Sequence, residues 1–180
     1  MNIAERNAPV TMIRRDLEGL PEFPLPADYS IRGYLPGDER EWVRIHVMAD
    51  LYNKITPELF RSEFGEDAAV LGRRQFYLLD PQGSAVGTAT AWYDDNYHGQ
   101  SFGRVHWVAI EPGSQGRGLS KPLMSKVCCT LRELGHERAY LSTSTVRIAA
   151  ITLYLRFGFV PEIRTPEDAA TWAEMERYVR

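Results

Sequence analysis

The stretch from Val108 to Leu123, VAIEPGSQGRGLSKPL, constrains the fold more than any other part of the chain. Val108, Ala109 and Ile110 close an apolar run that reads as a strand. Glu111-Pro112-Gly113 breaks it, Gly116 and Gly118 flank Arg117, and a new periodicity begins. Leu119, Leu123, Val127, Leu131 and Leu134 recur at intervals of four and three, which predicts a long amphipathic helix ending at Gly135. A strand that feeds a helix through small residues leaves backbone N–H groups bare at the positive end of the helix dipole, where an anion can approach. Taken alone, the loop is open to two readings: a phosphate seat, or a turn that uses glycine only for its geometry. A P-loop is excluded because Leu119 follows Gly118, and a dinucleotide fingerprint fails because Lys121 stands where a third glycine belongs.

The rest of the chain alternates. Val10 to Arg14 suggests a short edge strand, and the prolines from Pro21 to Pro26 suggest an extended strap. Residues 1–28 thus read as an extension and 29–180 as the compact domain. Tyr29 to Leu35 reads as a strand, and Asp38 as the cap of a helix with Trp42, Ile45, Ala49 and Tyr52 on one face. Thr56-Pro57-Glu58 opens another helix. Gln75–Leu79 and Ala85–Tyr93 form a hairpin, Asp94 to Gln100 a loop, and Gly103–Ile110 a third strand. After the long helix come a strand (Arg138–Thr143), a helix ending at Gly158, the strand FVPEI, and a C-terminal helix capped by Thr165. Hairpins first and strand–helix alternation later predict an α/β fold with a mixed sheet.

The 180 residues suit one domain with a full core. A net charge of -3 argues against nucleic acid or an anionic membrane as partner. No apolar run approaches the ~18 residues of a membrane span, and the N-terminus lacks a leader's apolar centre. Adjacent Cys128 and Cys129 make a poor disulfide, which points to a reducing, cytoplasmic setting. His46, His98, His106 and His136 show no metal-ligand spacing, so no metal is expected.

The opening stretch resembles the acyl-CoA loop of the GNAT superfamily of N-acyltransferases, with Gln115, Gly118 and Ser120 at its pattern positions and serine where Gly or Ala is usual. A later stretch, RIAAITLYLRFGFVPEI, resembles that family's second motif through Ala150, Leu153-Tyr154 and Gly158-Phe159, with Arg147 in place of the frequent Asn. The resemblance spans roughly Tyr29 to Ile163. It implies a single-domain, largely antiparallel central sheet flanked by helices and splayed between its fourth and fifth core strands. It also implies acetyl-CoA as acyl donor and a small-molecule or peptide amine as acceptor, the amine attacking the thioester directly in a ternary complex; a homodimer is one assembly it allows.

Residue by residue, the resemblance implies that the backbone of Val108, Ala109 and Ile110 grips the pantetheine arm. The pyrophosphate would rest on the N–H groups of Gln115, Gly116, Arg117, Gly118, Leu119 and Ser120, with Arg117 and Lys121 adding charge. Tyr154 matches the general acid. His106 is a candidate base, since alternation puts it on one face with Val108 and its pKa suits the task; Asp94, Asp95 and His98 are others. Of the aromatics Tyr52, Trp92, Tyr93, Tyr97 and Trp107, some are expected to line an acceptor pocket. The alternative is a non-catalytic acyl-CoA-binding or sensing module on the same fold. Arg147, and Arg104 where a Glu would be expected, leave room for it.

Overall fold

The computed structural model describes residues 2–179. Seven strands form one sheet: β1 (Pro9–Arg14), β2 (Ser30–Gly33), β3 (Gln75–Leu79), β4 (Ala85–Tyr97), β5 (Gln100–Ile110), β6 (Ala139–Ser144) and β7 (Val160–Pro161). Their order is β2-β3-β4-β5-β6-β1-β7. Every neighbouring pair is antiparallel except β5 and β6, which run parallel. The helices are α1 (Glu39–Ala49), α2 (Pro57–Phe64), α3 (Ala68–Arg74), α4 (Ser120–Glu133), α5 (Ile148–Arg156) and α6 (Pro166–Met175).

Strand alternation divides the apolar side chains between two faces. Phe76 and Leu78 pack with α4, α5 and α6 in the larger core, whereas Tyr77 between them joins Trp42, Ile45, Phe60, Phe64 and Leu71 from α1, α2 and α3. The second core is an aromatic cluster: Trp42, fully buried, meets Phe60, Phe64 and Trp107 edge-on. That cluster fixes α2 against the sheet. The helix starts as its sequence predicts, with the Thr56 hydroxyl accepting from Leu59 N–H at 3.1 Å and Pro57 following. Thr56→Ala should cost about 1 kcal/mol through the lost cap. For a chain of this size that is a fall of about 2–4 °C in Tm, readable by calorimetry.

Several expectations are corrected. β1 is not an edge strand: it lies between β6 and β7, because Met12 and Ile13 point to opposite faces and both are buried. Asp38 precedes α1 but does not cap it; its carboxylate is taken by Leu35 N–H and Arg32. Tyr52 lies beyond the end of α1 and is half exposed. The expected loop from Asp94 to Gln100 is mostly strand. β4 and β5 continue to a two-residue turn, His98-Gly99, with φ of 53° and 79°, the left-handed pair that matches strand twist. Only Val160–Pro161 of FVPEI pairs, and α3, capped by Asp67, was not anticipated. The capping box at Thr165 and the left-handed glycines at Gly135 and Gly158 are where the sequence places them.

Candidate active site

β5 and β6 pair only at Gly103↔Ala139 and Arg104↔Tyr140, although β5 runs on to Ile110 and β6 to Ser144. Beyond Arg104 the two strands diverge and a gap opens between them. A bulge in β5 accompanies the divergence. Thr90 pairs with His106 and Thr88 with Ala109, so Trp107 and Val108 together face the single residue Ala89. Trp107 takes the extra turn in a left-handed conformation, φ 51°. Consequently His106 and Trp107 both face the α1–α2 side, whereas Val108 and Ile110 pack toward α4 and α5. The expectation that His106 and Val108 share a face is therefore wrong; the bulge resets the alternation between them. Glu111 N–H donates to Val86 C=O on the β4 side at 2.9 Å. Counting back, the backbone groups of Ala109 face β4, and those of Val108 and Ile110 face the gap.

A cavity of about 460 Å³ occupies this gap and extends under α1 and α2. On the α1–α2 side, His106 Nε2 lies 2.6 Å from Glu63 Oε2, and Trp107 Nε1 donates to the same oxygen at 3.1 Å. The hydrogen bond from His106 holds the Glu63 carboxyl down to about 2, so Glu63 is an acceptor and Nε2 carries the proton. Burial pushes the His106 imidazole below its ordinary value, against the pull of Glu63, so the ring is neutral at pH 7 and its Nδ1 is a bare lone pair. His46, from α1, is a second buried imidazole on the cavity wall. Its Nδ1–H donates to Trp42 C=O at 2.9 Å, burial pushes it down to about 4, and its Nε2 has no hydrogen-bond partner among the described residues.

On the opposite wall, α5 presents Tyr154, 7% exposed and packed edge-on against Phe159. Burial pushes its phenol up to about 12, opposed by the nearby Arg147 guanidinium. The hydroxyl makes no hydrogen bond to another described residue. Arg147, at the start of α5, is held by both oxygens of Asp50 at 3.0 Å and lies over the Tyr52 ring. It thereby ties α5 to the end of α1 across the cavity mouth.

At the foot of the gap lies the glycine loop. Gly116 and Gly118 both have φ of 76°, and a side chain at either would meet nothing within 4 Å, so glycine serves the backbone conformation here rather than packing. Gln115 N–H is bonded to Pro112 C=O, which removes the first group of the expected seat; Lys121 N–H, just beyond its last, is bonded to Gly118 C=O. The N–H groups from Gly116 to Ser120 take no backbone acceptor among the described residues. Gln115 instead contributes its side chain, Nε2 donating to Ile110 C=O at 2.8 Å, which joins loop to strand. Arg117 reaches the Tyr29 hydroxyl and Gly113 C=O, and Lys121 sits over the Phe23 ring.

The structure thus brings Tyr154, His106, Val108, Ala109, Ile110 and Gln115 onto one cavity. Asp94, Asp95 and His98 are carried away from it along the extended hairpin; Asp94 accepts from the Tyr140 hydroxyl. Of the aromatics, Tyr52 and Trp107 line the cavity, while Trp92 packs on Phe64 and Tyr97 stacks on Tyr140. Cys128 is buried with its thiol pushed up to about 12, a packing role. Glu63 and His46 escaped the sequence reading. The spacing of Phe60 and Phe64 marks the buried face of α2, and Glu63 beside it was the available signal. Among the described residues no helix is long and apolar enough to cross a membrane, and no group of three His, Cys, Asp or Glu could hold a metal ion.

Comparison with known proteins agrees with this architecture. The model of the Acetyltransferase (GNAT) family matches residues 45–159. A mycothiol acetyltransferase of Actinosynnema mirum is 30% identical over 162 residues, covering 87% of this chain and 53% of that protein. The chain spans about half the length of the curated relatives it matches. Among solved structures, a GCN5-related N-acetyltransferase from Sphaerobacter thermophilus superposes with a TM-score of 0.69 at 22% identity, covering 86% of this chain and 48% of that one. The NatC complex bound to Gag peptide and CoA gives 0.63 at 17% identity, with 76% and 87% covered. The family match takes in the splayed pair, the glycine loop and α5 alike, and this chain belongs to the GNAT family of acetyltransferases.

Proposed function

We propose that the chain transfers an acetyl group from acetyl-CoA to a primary amine by direct attack in a ternary complex. The observation that carries this reading is the single cavity that holds the splayed strand, the Tyr154 hydroxyl and the His106–Glu63 pair together. Acetyl-CoA supplies a thioester carbonyl that an amine can attack. The bare N–H groups from Gly116 to Ser120, at the N-terminus of α4, suit the pyrophosphate. The gap-facing backbone groups of Val108 and Ile110 suit the amide-bearing arm, as an added strand would be held, and an N–H there can steady a developing oxyanion. His106 Nδ1 takes the proton of the attacking amine while Glu63 supports the imidazolium. Tyr154 gives its proton to the departing sulfur. Arg147, engaged with Asp50, shapes the mouth rather than replacing the family's Asn in any contact.

Titration calorimetry with CoA and release of free thiol across a panel of amines test the proposal together. The name of the matched relatives puts a mycothiol-related acceptor into that panel. Stoichiometric CoA binding with amine-dependent thiol release is the expected result. Binding without turnover on any amine would favour a sensing module, and no binding would overturn the seat itself. Gly118→Val should weaken CoA about tenfold. A β-branched residue does not hold the left-handed φ there, and the loop must turn its N–H groups away.

A further inference from the structure

We propose that the amine acceptor also carries a carboxylate, and that Arg104 is its seat. The inference rests on the acetyl-transfer reading and deepens it by naming the acceptor's class. Four lining side chains carry formal charge at neutral pH: Asp50, Glu63, Arg104 and Arg147. Arg147 and Asp50 satisfy each other. Glu63 accepts from His106 and Trp107. Arg104 has no ion pair or side-chain hydrogen bond among the described residues, and its Nε is shut off from solvent with no partner. Its guanidinium sits 5.6 Å from the centre of the Tyr140 ring, and that ring is fixed by its hydroxyl donating to Asp94 at 2.9 Å. The ring face orients the cation without neutralising it. A partly desolvated guanidinium fork with donors to spare fits a planar carboxylate, through two parallel hydrogen bonds.

Placement supports the same class. Arg104 and His106 precede the bulge, so they share one face of β5 and stand roughly 7 Å apart along it. The cavity therefore presents the Glu63 carboxylate, relayed through His106, beside a guanidinium. That arrangement complements an acceptor with an ammonium and a carboxylate in one small molecule. A plain alkyl amine leaves Arg104 unpaired, and a polyamine brings a second cation toward it.

The test compares each amino acid with its decarboxylated partner, for example lysine with cadaverine and phenylalanine with phenethylamine, together with O-phosphoethanolamine. We expect kcat/KM to favour the carboxylated member at least about tenfold. In Arg104→Met the ratio should collapse toward one through a rise in KM for the carboxylated acceptor, and Arg104→Lys should keep part of it. Equal kcat/KM within the pairs, a preference for the phosphorylated amine, or an equal loss on both members in Arg104→Met would each overturn the proposal. If CoA binds but no amine turns over, the transfer reading fails separately. N-acetylglycine titrated into the CoA complex then decides: binding lost in Arg104→Met supports the seat, and equal binding or none overturns it.

Discussion

Tyr154→Phe is expected to lower kcat about 10²–10⁴-fold while CoA affinity stays within about twofold, measured by thiol release and calorimetry. The substitution is clean because the side chain is buried among apolar neighbours and its hydroxyl has no hydrogen-bond partner among the described residues to strand. Phenylalanine fills the same space, so the fold and the gap should persist. Burial raises the phenol to about 12, which keeps the proton in place at any working pH. That value alone would make Tyr154 a reluctant donor to a thiolate. The same desolvation, however, also penalises the departing thiolate, so the transfer exchanges one buried anion for another. Arg147 then favours the phenolate that is left. A Tyr154→Phe enzyme that keeps its full rate would remove the phenol from the chemistry and leave it as packing.

How far the sequence could be read depended on how local each feature is. The caps at Thr56 and Thr165, the α4 periodicity and the glycine loop all follow from residues a few positions apart, and they stand where expected. The splay of the sheet came only with the family resemblance, because no local pattern announces that two parallel strands will part. Trp107 shows the limit most plainly. A non-glycine residue in the left-handed region carries no composition cue, yet its bulge turns His106 away from Val108 and toward Glu63. Glu63 lies 43 residues upstream and meets His106 only because the aromatic cluster seats α2 on the sheet. The hairpin tip was missed for a related reason. Asp94, Asp95 and Asn96 disfavour strands by themselves, and the stacking of Tyr97 on Tyr140 at 3.7 Å helps hold the ribbon in place.

His106→Gln should lower kcat about 10²-fold or more and abolish the acidic limb of its pH profile, whereas Glu63→Gln should shift that limb further to acid. The direction follows from what surrounds the ring. Burial and the Arg104 charge lower the His106 pKa, Glu63 raises it, and burial prevails. With His106 in the proposed role of base, activity of the native enzyme is therefore expected to climb with pH through a limb lying below the ordinary imidazole value of about 6.5. Removing the Glu63 charge deletes the one raising influence, so the limb moves down while kcat falls, because the imidazolium formed on proton uptake loses its counter-charge. Two buried imidazoles bear on this window: His46 and His106 both have folded pKa values below the unfolded 6.5, so the fold loses stability as pH falls below that value, and circular dichroism at each pH checks that the protein stays folded. The Glu63 carboxyl is depressed in the folded state, so its stabilising effect is complete above its unfolded value of 4.5 and is lost only as pH falls toward about 2. Profiles of kcat with saturating acetyl-CoA, taken above pH 5 on an acceptor of fixed pKa, separate the possibilities. A limb that persists in His106→Gln belongs to the acceptor amine, and one that rises in Glu63→Gln reverses the assignment of the pair.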